Sequence, residues 1–244
     1  GANEPENYIV LADKKSTEGN IRRYAPTESG RKSGTILTEK EDYDARKRDW
    51  FQQALKAGIP IWTDINHSVT GARLDLTATA PFFDDRGTFK GIFFTDVSLS
   101  SLTKFLQDLQ IGTSGQAFII EGNWSIVATS YKELPFIIEN ETTNQVRRIH
   151  ATESKNSLVA AAAKFLSQEV VNLDNIVKHE RLTINVNNEK FFLQVAPYRK
   201  HNLNFLTVIV LPESDFMRHI DRSSRLALTL ICVAVFVALV LGLW

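Results

Sequence analysis

The sequence predicts an α+β protein of two lobes built on antiparallel sheets, followed by an apolar C-terminal helix, and three observations carry that prediction. Strand-like alternation and helix-like periodicity are interleaved along the chain, with short turns between the strand-like runs. The interleaved pattern occurs twice, restarting after Gly112-Thr-Ser-Gly115. Leu226 to Trp244 runs for nineteen residues without a charge. As a helix that run would span about 28 Å, against a hydrocarbon core of about 30 Å.

Composition narrows the class. The chain has 244 residues, 43% of them hydrophobic, with 28 basic and 28 acidic side chains. This suits one large or two ordinary folded domains and excludes a disordered chain. Zero net charge, with no basic cluster beyond Arg46-Lys47-Arg48, argues against nucleic acid as a partner. Cys232 is the single cysteine, so no intrachain disulfide framework exists. His67, His150, His179, His201 and His219 lack ligand-like spacing, so neither a zinc site nor any other cofactor is expected.

Taken in order, Tyr8 to Ala12 and Asn20 to Ala25 read as two short strands around a polar turn. Polar Thr27 to Lys40 reads as a loop. A helix is expected from Glu41 to about Ala57, stopped by Gly58 and Pro60, with Trp50, Ala54 and Leu55 on its apolar face. Arg73 to Phe83 and Phe89 to Val97 alternate like strands joined at Asp84-Asp85-Arg86-Gly87. Ser98 then precedes a helix, Leu99 to Leu109, whose Leu102, Phe105, Leu106 and Leu109 share a face. In the second lobe Gln116 to Glu121 and Ser125 to Thr129 are strand-like. A polar insertion to about Ala151 leads to a helix from Glu153 to about Val171, with Leu158, Ala162, Phe165 and Leu166 inward. Three strands follow: Arg181 to Val186, Lys190 to Pro197 and Leu203 to Leu211. From Asp215, with Ser214 as its cap, one helix is expected to run uninterrupted to Gly242, since no Gly or Pro intervenes.

The stretch with the most chemistry is Tyr43-Asp-Ala-Arg-Lys-Arg48-Asp-Trp50-Phe51. An arginine fork beside a tryptophan N–H and a phenol is suited to holding a carboxylate. The same residues also fit a plainer role, with Trp50 and Phe51 in a core and Arg48 a solvated charge. Elsewhere, Ser114 has no histidine or acid near it in sequence and sits in a turn, which argues against a nucleophile. Asp84-Asp85 fits a hairpin turn better than a calcium site.

Six segments together resemble the double Cache sensor domain of bacterial chemoreceptors, sensor histidine kinases and transmembrane cyclases. They are Arg48 to Ala54 (RDWFQQA), Pro60 to Asp64 (PIWTD), Ala80 to Gly87 (APFFDDRG), Gly91 to Leu99 (GIFFTDVSL), Ile111 to Ile120 (IGTSGQAFII) and the VIVLPESDF run before the apolar helix. The resemblance implies two stacked PAS-like lobes. The membrane-distal lobe would be 1–110, the membrane-proximal lobe 111–212, with a juxtamembrane helix over 213–225 and a transmembrane helix over 226–244. It also implies an extracytoplasmic, non-enzymatic sensor that binds a small molecule, sits in the membrane and acts as a homodimer. The chain starts at Gly1 and shows no signal sequence or first span, and so reads as a piece of a longer protein. Arg218, Arg222 and Arg225 flank the apolar run on the side that the resemblance places outside, against the positive-inside tendency. Large domains translocate largely regardless of such charge.

In the amino-acid-binding branch of that family, a tyrosine, arginine and tryptophan hold the ligand carboxylate and a strand-end aspartate holds the ammonium. The resemblance carries these roles to Tyr43, Arg48, Trp50 and Asp96. Asp96 fits equally well as a cap for the helix near Leu99. Three further positions depart from the pattern: Phe51 where a tyrosine is expected, and Asn66 and Ser68 in place of tyrosine and aspartate. The loss of a carboxylate at Ser68 weakens the ammonium end and leaves other small organic solutes open as ligands. An alternative reading is a membrane-anchored solute-binding or adhesion module without signalling output.

Overall fold

The computed structural model describes residues 9–11, 18–69, 71–140, 142–169 and 175–215. Among these, one compact unit falls within Gly1–Ser100, Ile137–Arg147 and Lys200–Leu203. The other falls within Ser101–Phe136, Arg148–Arg199 and Asn204–Trp244. Both rest on antiparallel sheets with a few helices, the α+β class expected.

In the first unit, β1 (Ile9–Leu11), β2 (Ile21–Pro26) and β3 (Lys32–Lys40) form a three-stranded antiparallel sheet in that order. β3 corrects the expected loop over Thr27 to Lys40. The strand buries neither face, so it carries no apolar alternation to read. It is held by its ladder to β2 and by side chains across the pair: Glu39 accepts from Asn20 at 2.7 Å and from Arg22 at 2.6 Å. The Lys32 ammonium also lies 4.3 Å from the centre of the Tyr24 ring.

The helix expected from Glu41 is shorter. Asp42 takes a left-handed φ of 51°. Asp44 then caps a 3-10 turn, Ala45–Lys47, by accepting from the Arg46 N–H at 3.0 Å. Arg48 is extended at φ −82°, ψ 144°, and only from there does α1 (Asp49–Ala57) run. Short acids such as Asp44 compete with helix through such local bonds. Gly58, at φ 65°, closes α1 in the left-handed conformation that a side chain would disfavour. Trp50 and Ala54 are buried, whereas Leu55 is exposed.

Next come β4 (Ile61–Trp62), β5 (Asn66–His67), β6 (Leu74–Phe83) and β7 (Phe89–Ser98). β4 and β5 both pair with β6, and β7 pairs with it as a hairpin. In the hairpin turn, Asp84 accepts from the N–H groups of Arg86 and Thr88 at 3.0 and 2.8 Å, which accounts for that acidic pair as turn chemistry. Register sets Thr77 opposite Asp96 and Thr79 opposite Phe94, so these four share a face. α2 (Leu99–Asp108) buries Leu99, Thr103 and Leu106. That stripe corrects the expected face, since Phe105 and Leu109 are exposed.

The second unit has a five-stranded sheet in the order β12-β13-β14-β8-β9. Its strands are β8 (Gln116–Glu121), β9 (Ile126–Thr129), β12 (Glu180–Val186), β13 (Glu189–Lys200) and β14 (Leu203–Pro212). The insertion expected to be polar contains a hairpin, β10 (Phe136–Asn140) with β11 (Gln145–Arg148), most of which falls within the first unit; Ile137 and Ile138 are exposed beside Glu139 and Asn140, so no alternation marks the strand. α3 (Ser157–Glu169) starts later than expected because Asn156 accepts from the N–H groups of Leu158 and Val159, both at 3.0 Å. Its Val159, Ala162, Ala163 and Leu166 close over Phe118, Ile120, Leu193 and Val208 to form the core. Leu158 and Phe165, expected inward, pack against that core half-buried.

The Gly112 to Gly115 turn holds Asp215, whose carboxylate accepts from the N–H groups of Thr113 and Ser114 at 2.8 and 2.9 Å. A Cβ on Gly115 would lie 2.6 Å from the Ile111 carbonyl oxygen, so glycine is required at that position. The expected juxtamembrane and membrane helices beyond Asp215, and Cys232, lie outside the described residues. Among the described residues, no helix is long and apolar enough to cross a membrane.

Candidate ligand-binding site

One cavity in the first unit has an empty volume of about 560 Å³, part of it open to solvent. Its floor is the shared face of β6 and β7, which brings Asp75, Thr77, Phe94 and Asp96 together. The segment entering α1 contributes Tyr43, Arg48 and Trp50. β5 and the residues after it contribute Asn66, His67, Ser68 and Val69. β2 adds Ile21 and Arg23, and Arg73 precedes β6.

Each polar group has an identifiable support. Trp50 is 8% exposed and its ring lies 4.6 Å from that of Phe94, which fixes the indole against the floor. Arg48 donates through Nη2 to the His67 carbonyl at 2.6 Å, tying the start of α1 to β5. Asp96 accepts from the Thr77 hydroxyl at 2.7 Å. Asn66 is buried and donates to Thr63 Oγ1 at 3.1 Å and to the Asp64 carbonyl. Ser68 Oγ accepts from Arg23 at 3.3 Å, and Arg73 reaches Asp75 Oδ2 through Nε at 3.0 Å and Nη2 at 2.8 Å.

Two titrations are displaced here. Burial pushes the Tyr43 hydroxyl up. The Arg48 charge and a hydrogen bond with Trp50 oppose it, while Asp96 and Asp44 add to it. Burial also pushes the Asp75 carboxyl up, against its bond to Arg73 and the Arg73 charge, and Asp96 adds to the rise. A mixed set of guanidinium groups, carboxylates, hydroxyls and an indole around one cavity suits a small polar ligand with charge of both signs. Among the described residues, no group of three His, Cys, Asp or Glu side chains could hold a metal ion.

Of the residues singled out by sequence, Tyr43, Arg48, Trp50, Asn66, Ser68 and Asp96 line this cavity. Phe51 does not line it; its ring packs edge-on against Trp50 at 5.6 Å and Phe89 at 6.1 Å. Nor do the lining residues share one helix as expected, because Tyr43 lies ahead of the 3-10 turn and Arg48 is the cap of α1. Sequence reasoning missed Arg23, Arg73, Asp75, Thr77 and Phe94. A signal was present in Arg73-Leu-Asp75-Leu-Thr77, where polar residues alternate with leucines. Both sets are buried, since Leu74 is 0%, Asp75 5%, Leu76 5% and Thr77 2% exposed. A strand that buries polar groups on one face commonly faces a site or a network.

Comparison with known proteins agrees with this architecture. A family model of the dCache type, described as Cache domain, matches residues 3–220. The methyl-accepting chemotaxis protein PctB of Pseudomonas aeruginosa is 30% identical over 92 residues, covering 38% of this chain and 14% of that receptor. McpB of Bacillus subtilis is 30% identical over 89 residues, 36% of this chain and 13% of its own. The chain thus matches only a small share of those receptors' length. Among solved structures, a domain described as methyl-accepting chemotaxis protein X superposes with a TM-score of 0.50 at 14% identity, covering 84% of this chain and 74% of its own. The ligand-binding domain of the PctB amino acid chemoreceptor, solved with L-Arg, gives a TM-score of 0.42 at 18% identity, covering 74% and 68%. With a match that runs through nearly all of its length, the chain belongs to the Cache domain family and is a ligand-binding domain rather than an enzyme.

Proposed function

We propose that this chain is the extracytoplasmic sensor part of a transmembrane signal-transduction receptor and that its first unit, the membrane-distal lobe, binds a free amino acid or a similar small zwitterion. The observation that carries the reading is the placement of Arg48, Tyr43 and Trp50 in the same cavity as Asp96. The guanidinium, phenol and indole are the donors for a carboxylate, and Asp96, oriented by Thr77, is the acceptor for an ammonium. PctB, a sequence relative, is described as an amino acid chemoreceptor, in keeping with this ligand class. Leu226 to Trp244 forms the membrane span in this reading, and the receptor works as a homodimer. Ligand shifts the position of that span through a difference in affinity between two states, so binding and output are linked quantitatively.

The test is a melting screen of the 244-residue chain in detergent, read by intrinsic fluorescence, against amino acids, amines, organic acids and purines. A ligand at a hundred times its Kd adds about 2.7 kcal/mol of stability. A hit among amino acids that disappears in Arg48→Ala is expected. Hits confined to other solutes would overturn the zwitterion assignment.

A further inference from the structure

Arg48 and Asp96 account for the two charges of a zwitterion, and the Arg23 and Arg73 guanidinium groups already donate within the protein, to Ser68 and to Asp75. Asn66 is matched at one end only. It lines the cavity and is 8% exposed. Its amide nitrogen donates to Thr63 Oγ1 at 3.1 Å and to the Asp64 carbonyl. A carbonyl can only accept, which fixes the nitrogen at that end of the amide and leaves Oδ1 at the other. Among the described residues, none donates to Asn66 Oδ1. A buried acceptor without a donor is unfavourable, and a ligand that supplies the donor relieves it.

That donor is not the ammonium on Asp96. Asn66 stands opposite Asp75 in the β5–β6 ladder and Asp96 opposite Thr77 in the β6–β7 ladder, so the two lie two strand spacings and two residues apart. Their Cα atoms are then about 12 Å apart, and side chains stand roughly upright from a sheet, so one nitrogen does not bond both. A ligand whose ammonium meets Asp96 therefore meets Asn66 with its side chain. An acidic side chain would set acceptor against acceptor, and an alkyl one would leave Oδ1 unmet. A cationic one would share this end of the cavity with Arg73, which is held on Asp75 opposite Asn66.

We propose that the pocket selects an amino acid with an uncharged carboxamide side chain, whose N–H group donates to Oδ1 of Asn66. This rests on the zwitterion reading above. Asn66 is the residue that sets the choice, and its bonds to Thr63 and Asp64 keep its amide from turning its own N–H groups towards the ligand.

The deciding experiment is equilibrium dialysis of the 244-residue chain in detergent with six radiolabelled amino acids. L-glutamine is set against L-glutamate and L-methionine, and L-asparagine against L-aspartate and L-leucine. Within each set the size is similar, and only the amide carries a side-chain donor. At least one amide is expected to bind about tenfold or more tighter than both of its comparators, as a bond to a buried acceptor predicts. In Asn66→Ala the three members of that set should converge. All ligands see the same folded fraction, so the ratios are insensitive to partial unfolding, and the wild-type comparison decides the matter even where the variant fails to fold. Comparators that bind as well as both amides would overturn this inference, as would an amide preference that persists in folded Asn66→Ala; either leaves the zwitterion reading standing. If none of the six binds, another amino acid found in the melting screen would overturn this inference alone, and no amino acid there would overturn both.

Discussion

Arg48→Ala probes the site most directly. In the structure Arg48 does two things: it lines the cavity and it donates to the His67 carbonyl at 2.6 Å. Its backbone caps α1, but its side chain makes no capping bond, so truncation leaves the helix start intact. Losing the charge-assisted bond to His67 should cost roughly 1.5–3 kcal/mol of stability. A domain with about 5–15 kcal/mol in hand survives that loss. Ligand affinity should suffer more. Removing one partner of a desolvated charge pair costs about 2–5 kcal/mol, or roughly thirtyfold to several thousandfold in Kd. Isothermal titration with the ligand found in the screen, alongside melting of the same preparation, separates the two effects. Arg48→Lys should fall between, since it keeps the charge and loses the fork. A folded Arg48→Ala protein whose Kd rises by less than about threefold would show that this arginine only ties β5 to α1, and the carboxylate assignment would fail.

Three other outcomes are expected. Thr77→Val removes the hydroxyl that orients Asp96 and should weaken ligand by about tenfold or less, with Kd by titration as the readout. Burial raises the Asp75 carboxyl in the folded state above its ordinary 3.8. A raised acid favours the folded state while protonated, so the contribution is full below the ordinary value and is lost as pH rises through the raised one. Melting temperature against pH should show that decline in the ligand-free chain and lose it in Asp75→Asn; an unchanged profile would refute it. Leu166→Ala, in the core of the second unit, should cost about 2–5 kcal/mol by chemical denaturation while leaving ligand Kd unchanged, because no residue of that core lines the cavity.

How much of this was legible depended on whether a segment announces itself by burial. β6, β7, β8 and β12 to β14 alternate or are apolar, and their positions follow from that pattern. β3, β10 and β11 are mostly exposed pieces paired through backbone ladders, with polar or apolar side chains alike facing solvent, which leaves no period in the sequence. Asp42 and Asp44 broke a helix that its apolar face alone extended too far. At the site, the Tyr43 to Phe51 stretch drew attention because its chemistry is contiguous. Arg23 reaches the same cavity from β2, and Arg73 and Asp75 from the start of β6, and only strand register brings them there. A single sequence does not state that register.

The three departures from the amino-acid-binding pattern take on a different weight once they are placed. Phe51 points its ring at Trp50 and Phe89, so a missing hydroxyl there takes nothing from the cavity. Asn66 spends its amide on Thr63 and Asp64, holding β5 in register opposite Asp75. Ser68 is the consequential one. Its hydroxyl gives Arg23 a neutral acceptor where the resemblance implies a carboxylate. Ser68→Asp restores that carboxylate in the cavity and should tighten a zwitterionic ligand by about tenfold. Titration of the Ser68→Asp chain with the amino acid found in the screen reads this directly. A Kd that is unchanged or raised would show that position 68 does not serve the ammonium and that its hydroxyl only anchors Arg23.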